Sequence, residues 1–409
     1  MKKSTKPNWQ SWTIVAVIIA LSIVRIFATT VIPKFNYDES RRADTIRDVL
    51  DGSDSKKATF NFLGVPFFVR TDAGFSSLPF LAPATIWAFF FGTSSISFRI
   101  FIAVIVTSSL ILLSYTISIW YKHSRKIFLL AACIALSLPW LFLQGILFWD
   151  TSLAPVCFIV AFYAFTKIKF AKKPQIIHQL LLPLSLIISV YLYLPSAIPA
   201  VILYFATHTY LKRQNLIKPT QLIANLIISC IAVLPFIIFF ISFPDANTRT
   251  GELSIFYQTD IFTAIRYFIQ NLILLINPIF LFVKGDSNLT HSIGCFGMLG
   301  TFSIAPIAWS VYYRIKNLFT PHEKLLFVIS LLGIASATIS SALTHPAAQP
   351  HSLRANSAAP FYVLLITLGV KKFIERHPEA KVPVFLMLAI YAIAYFVAFF
   401  FIYPAAIKT

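Results

Sequence analysis

Eleven apolar runs, each close to the length of a membrane span, divide this chain of 409 residues and leave it few folds to choose from. They lie near 12–32, 96–120, 127–147, 151–166, 179–194, 196–210, 221–243, 296–311, 325–342, 358–370 and 382–402. A bilayer core of about 30 Å takes roughly 20 apolar residues in helical form. Inside lipid every backbone N–H and C=O needs a partner within the chain, so runs of this kind read as helices. The expected fold is all-α: a single polytopic transmembrane bundle over 1–409 with about eleven spans. Composition agrees. Hydrophobic residues make up 58% and charged residues only 12%, against about 25% charged in a typical soluble protein. That excludes disorder and most soluble classes. Cys133, Cys157, Cys230 and Cys295 form no CxxC pair, and the first three read as small core hydrophobes.

The charge balance is strongly basic, 34 Lys and Arg against 15 Asp and Glu. In a soluble protein this would suggest nucleic acid. In a membrane protein it points to cytoplasmic loops, which collect Lys and Arg. The first run is too long for a signal-peptide core, and it reads as an uncleaved span with a cytoplasmic N-terminus. Alternation then places 1–9, 121–127, 167–178, 211–220, 312–324 and 371–381 on the cytoplasmic side. These pieces hold twenty of the 34 basic residues but only three of the 15 acids. No nucleic-acid partner is needed. The segment LPFLAPATIWAFFFG, 78–92, would invert every later loop if it crossed. Its short length and Pro79 and Pro83 favour a helix lying at the outer interface. The substantial outer segments are then 34–77, 244–295 and 343–357, with short amphipathic helices expected in the first.

That first loop balances seven basic residues against seven acids. Asp38 and Glu39 open a helical pattern running to about Leu50, where acids suit the N-terminal dipole and Asn36 or Asp38 suits a cap. The alternative is chemical: a carboxylate just beyond the membrane can take the proton of an acceptor hydroxyl or amine. Asp150 is the sole acid between Asp72 and Asp245. It reads either as a cap for the helix beginning at Thr151 or as a functional carboxylate in apolar surroundings. Farther on, Lys284, Asp286 and His291 fall in FLFVKGDSNLTHSIGCFGMLG, and His345, His351 and Arg354 in LTHPAAQPHSLRANSAAP. Arg354 suits either bidentate phosphate binding or snorkelling to headgroups.

An acidic pair after the first span, a Pro-containing apolar helix, then Gly92-Thr93-Ser94 and Arg99 together resemble the GT-C superfamily of polytopic glycosyltransferases. Within it, the nearest group is similar to protein O-mannosyltransferases and aminoarabinose transferases. Two later loops resemble G-D-x-N-x-R-H-S and P-H-x-L-R patterns of bacterial proteins of this type. Gly285, Asp286, His291 and Ser292 match the first, with Thr290 where Arg is usual; Pro350, His351, Leu353 and Arg354 match the second. The resemblance covers roughly residues 10–370.

It implies a polyprenyl-phosphate-linked sugar donor and a lipid, glycan or protein acceptor, with transfer at the outer face of the cell (inner) membrane. Asp38, Glu39 and Asp150 are the expected catalytic acids. Arg354, His351, His291 and Lys284 are expected around the donor phosphate. A divalent ion serves some GT-C members and not others, so metal use stays open. Two rival readings remain. A transporter or lipid flippase would place ionisable groups near mid-membrane, where Arg25 is the obvious candidate. A polysaccharide polymerase or ligase would carry one large outer loop rich in Arg and His.

Overall fold

The computed structural model describes residues 9–32, 36–51, 59–71, 74–243, 251–345 and 350–407. It is 76% helical and builds a polytopic helical membrane protein. The first loop holds α1 (Trp9–Ala28), α2 (Tyr37–Leu50), strands β1 (Thr59–Phe62), β2 (Val65–Thr71) and β3 (Gly74–Ser77), and α3 (Leu78–Phe91) at its two borders and within it. The bundle continues with α4 (Ser95–Trp120), α5 (Arg125–Ser137), α6 (Pro139–Gln144), α7 (Ala154–Phe170), α8 (Ile176–Leu192), α9 (Ala197–Arg213) and α10 (Pro219–Ser242). It closes with α11 (Ile261–Leu275), α12 (Ile304–Ile315), α13 (Pro321–Ala342), α14 (Ala359–Arg376) and α15 (Lys381–Val397). Among the described residues, eight helical segments are long and apolar enough to cross a membrane, and Val15–Ala28, Leu78–Phe91 and Ile176–Leu192 are shorter apolar helices. One end of the bundle carries the basic loops; the other, the site end, carries α2 and the loops that follow α6 and α13.

Two of the expected spans depart from a simple crossing. The run 127–147 breaks at Pro139, which lacks an N–H and pushes Leu138 into extended backbone. The break leaves carbonyls without helical partners. Arg25 of α1 supplies them: Nη1 donates to Leu141 O at 2.7 Å and Nη2 to Leu136 O at 3.3 Å. Its guanidinium is fully buried and lies over Phe142. Gly145 lets it in, since a Cβ there would collide with Nη1. Beyond α6 the chain stays inside the bundle, and every residue from Ile134 to Pro155 is buried. The run 296–311 holds only the 12-residue α12 and the coil before it.

The segment Ile261–Val283 satisfies length and composition for crossing, and its bonds tie it to the loops after α13 and before α12. Asn271, at its middle, donates to Ala342 O at 2.9 Å and Thr344 O at 2.7 Å, at the end of α13. Ile255 N, before its start, bonds to Leu343 O. Phe280 O and Leu281 O, near its far end, accept from Met298 and Leu299, just ahead of α12. The start and middle of this segment are thus tied to the end of α13, and its far end to the coil ahead of α12. At 14 residues, α3 is about 21 Å long at 1.5 Å per residue. Its Phe80 packs against Phe148, and Trp87 Nε1 bonds to Ser97 O in the first turn of α4.

The first loop was expected to hold helices, but it also contains a three-stranded antiparallel sheet, β1-β2-β3. The strands form because Phe60, Phe68 and Phe75 find an apolar floor on α8 and α10.

Candidate active site

Glu39 is the structural anchor of the site. Asn36 caps α2 by accepting from Glu39 N at 2.9 Å, and the Glu39 carboxylate answers by accepting from Asn36 N at 3.1 Å. This reciprocal box sets where the helix begins. The same carboxylate takes both arms of Arg99, from the first turn of α4, at 2.9 and 2.7 Å. Phe148 N adds a fourth bond at 2.9 Å. Glu39 and Arg99 are both almost wholly buried. Four donors leave this carboxylate occupied, so Glu39 fixes the start of α2, α4 and the 145–150 segment relative to one another and does not face an open site.

Asp38, one position earlier, is exposed. Helical spacing places Arg42 one turn away on the same face, and Arg42 Nη1 donates to Asp38 O at 3.0 Å. Its other arm, Nη2, reaches Asp150 Oδ1 at 2.9 Å. Asp150 is buried and also accepts from Thr151 N at 2.8 Å, opening a short 3-10 turn ahead of α7. Arg354 hydrogen-bonds the hydroxyl of Tyr193, which also feels the charge of Asp150. The helix of Asp38, the buried Asp150 and the loop of Arg354 thus meet at one end of the bundle. The Asp44–Arg47 pair, 2.7 Å, sits on the solvated face of α2.

A second cluster adjoins this one. Asp286 is buried and accepts from Ser352 N at 2.8 Å, Asn288 N at 2.9 Å and His291 Nδ1 at 3.2 Å. Burial raises its carboxyl, but the bonds from His291, Ser352 and Asn288 outweigh that and hold it below the usual carboxylate range. The His291 ring stands edge-on to Trp149, next to Asp150, and 4.6 Å from the ring of His351. Burial pushes the His351 imidazole down to about 3; Arg354 and His291 act in the same direction, and Asp286 opposes them. Ser352 ties the cluster to the floor: Gln144 Nε2 donates to its Oγ and Trp140 Nε1 to its carbonyl. Asp286, His291 and His351 each offer one ligand atom, mutually within 4.8 Å. Two imidazoles and a carboxylate are a donor set suited to a divalent transition ion.

Lys284 is exposed, and only its backbone enters the turn, where its carbonyl accepts from Ser292 Oγ. Thr290, at the position where the pattern usually has Arg, bonds through its N–H and hydroxyl to Asn288 Oδ1 and closes that turn. Sequence reasoning passed over Arg42, Tyr193 and Ser352. The four-residue step from Asp38 gave a signal for Arg42; the other two become recognisable only once distant loops meet.

No family model matches the chain, and neither does any curated protein. Among solved structures, the aminoarabinose transferase ArnT from Cupriavidus metallidurans, bound to undecaprenyl phosphate, superposes with a TM-score of 0.54. The sequences are 11% identical, and the match covers 87% of this chain and 60% of that one. The apo state of the same protein superposes equally, at TM-score 0.54 over 87% of this chain and 59% of that one. The chain has a GT-C-like fold. It spans about three fifths of the length of the ArnT chains it matches.

Proposed function

We propose that this protein is a membrane glycosyltransferase that moves a sugar from a polyprenyl-phosphate donor to an acceptor at the outer face of the cell membrane. The observation that carries the reading is the meeting of Asp38, Arg42, Asp150 and Arg354 at one end of a GT-C-like bundle. ArnT, which shares the fold, was solved with undecaprenyl phosphate, and that supports a lipid-borne donor here. The concentration of basic residues in the opposite loops supports placing the site outside.

In this reading Asp38 takes the proton of the acceptor hydroxyl or amine. The acceptor atom then bonds to the anomeric carbon as the bond from that carbon to the phosphate oxygen breaks. Polyprenyl phosphate departs with the electron pair. Arg354 meets the charge that develops on the leaving phosphate, which is usually a large catalytic term. Arg42 lies within one turn of the base and adds a second cation. His351 and His291, oriented through Asp286 and Ser352, supply hydrogen bonds, and Lys284 contributes from the rim.

Transport draws little support from Arg25. It is fully enclosed and spends its guanidinium on helix carbonyls, so it lines no path.

The test is transfer by the purified protein in vesicles with labelled polyprenyl-phosphate sugars. Asp38→Asn should lower the rate about 10²-fold or more at normal membrane levels. An unchanged rate removes Asp38 from the mechanism.

A further inference from the structure

The loop at 34–77 carries fourteen charged residues, yet none falls between 58 and 69. The charge-free stretch TFNFLGVPFFV is β1, its turn and most of β2. Leu63 and Gly64 form a two-residue turn between the paired Phe62 and Val65, with φ of 51° and 79°. Two central residues at positive φ define a type I′ hairpin turn, whose first position favours Asn, Asp or Gly. A leucine is strained in that region. Here it is also 89% exposed. In water neither the strained backbone nor the bare side chain is compensated. Among acyl chains the side chain is at home and a polar Asn would not be.

The depth of the hairpin follows from the helix beneath it. α10 runs from Pro219, beside a basic loop, to Ser242 at the site end. Its 24 residues span about 36 Å, more than a bilayer core of about 30 Å. The sheet rests on its last turns: Phe68 stacks on Phe239 at 4.1 Å, Phe75 meets it edge-on at 4.8 Å, and Phe60 lies at 5.7 Å. Phe68 also stacks on Tyr191, next to the end of α8. Phe239 is three residues from the end of α10, about 4.5 Å along the axis. The packed face of the sheet therefore lies at the level where hydrocarbon begins. Ile237 and Ile241 of α10 are exposed beside it, and Val65 and Leu63 prolong that apolar surface.

We propose that the β1–β2 hairpin inserts into the lipid bilayer, with Leu63 and Val65 among the acyl chains of the leaflet at the site end. Through its packing of β2 against α2, it holds the helix of Asp38 and Arg42 at the membrane surface. This inference stands independently of the transferase reading.

The test uses the full chain with its four cysteines replaced by serine, carrying a nitroxide at Leu63→Cys, in phosphatidylcholine vesicles. Collision rates are measured with molecular oxygen, which concentrates in hydrocarbon, and with a water-soluble nickel chelate. Ile241→Cys serves as the lipid reference and Asp44→Cys as the water reference. The oxygen-to-nickel ratio at position 63 should match that at 241. A ratio matching that at 44 overturns the proposal. So do low rates for both reagents, which would place a protein partner over the tip.

Discussion

Arg42 bonds to Asp150 at 2.9 Å across 108 residues of chain, with both side chains largely sheltered from solvent. The contact joins a helix of the first loop to the turn that opens α7, and Arg42 thereby bridges the Asp38 carbonyl and the Asp150 carboxylate.

Removing Arg42 strands the Asp150 charge in a sheltered site. Arg42→Ala should therefore cost about 1–3 kcal/mol of stability and at least tenfold in transfer rate, roughly 1.4 kcal/mol of barrier. Adding Asp150→Asn should restore much of the stability without restoring transfer. Thermal unfolding of the purified single and double variants, read beside the transfer assay, checks both halves. A double variant no more stable than Arg42→Ala would show that the pair is not coupled.

Neighbouring acids should behave in opposite ways. Glu39→Gln breaks a buried bidentate pair with Arg99, a change that costs about 3–5 kcal/mol, so the yield of monodisperse protein should collapse. Asp38→Asn, on an exposed side chain, should leave yield and melting temperature near wild type. Size-exclusion profiles of the two proteins in detergent decide it; equal profiles would contradict the anchoring role of Glu39.

Asp286→Asn replaces two accepting oxygens with one. An amide cannot accept from Ser352 N and Asn288 N on separate atoms as the carboxylate does, so one buried donor loses its partner at about 1–3 kcal/mol. The melting temperature should fall, and limited proteolysis should cut first within 284–298 or 350–356. Wild-type resistance at both loops would show that the Asp286 bonds do not hold them.

The pH dependence follows from His351. Its imidazole is held down to about 3 in the fold, whereas an unperturbed histidine titrates near 6.5. Between those values the unfolded chain binds the extra proton, so stability is full above about pH 6.5 and declines as pH falls toward 3. From pH 7 to 5 this single group accounts for about 2 kcal/mol. Melting curves of wild type and His351→Gln over that range should converge as the pH drops, because the variant lacks the group. Parallel curves would remove His351 as the source.

The sequence exposes the helices far better than the contacts between them. A run of twenty apolar residues has essentially one satisfied form in lipid, which makes α4, α10 and α13 legible without any partner. The sheet was not legible, because β1 and β2 are stabilised by Phe239 and Tyr191, more than a hundred residues downstream. The break at Pro139 has a local signal, but its repair by Arg25 does not. In the site, Asp38 and Glu39 look alike as neighbours in sequence. Only the burial of Arg99 against one of them separates an exposed acid from an occupied one. Arg354 is conspicuous as a loop arginine, while its bond to Tyr193 depends on how α8 ends.

The enclosed stretch from Ile134 to Pro155 has a consequence for how such a protein can diversify. Asp150 stands on a foundation clamped by Arg25 below and by Ser352 alongside, where nearly any substitution is felt as misfolding before it is felt as altered preference. Change at this end of the protein is therefore channelled to its rim: the outward residues of α2 and the turn around Thr290.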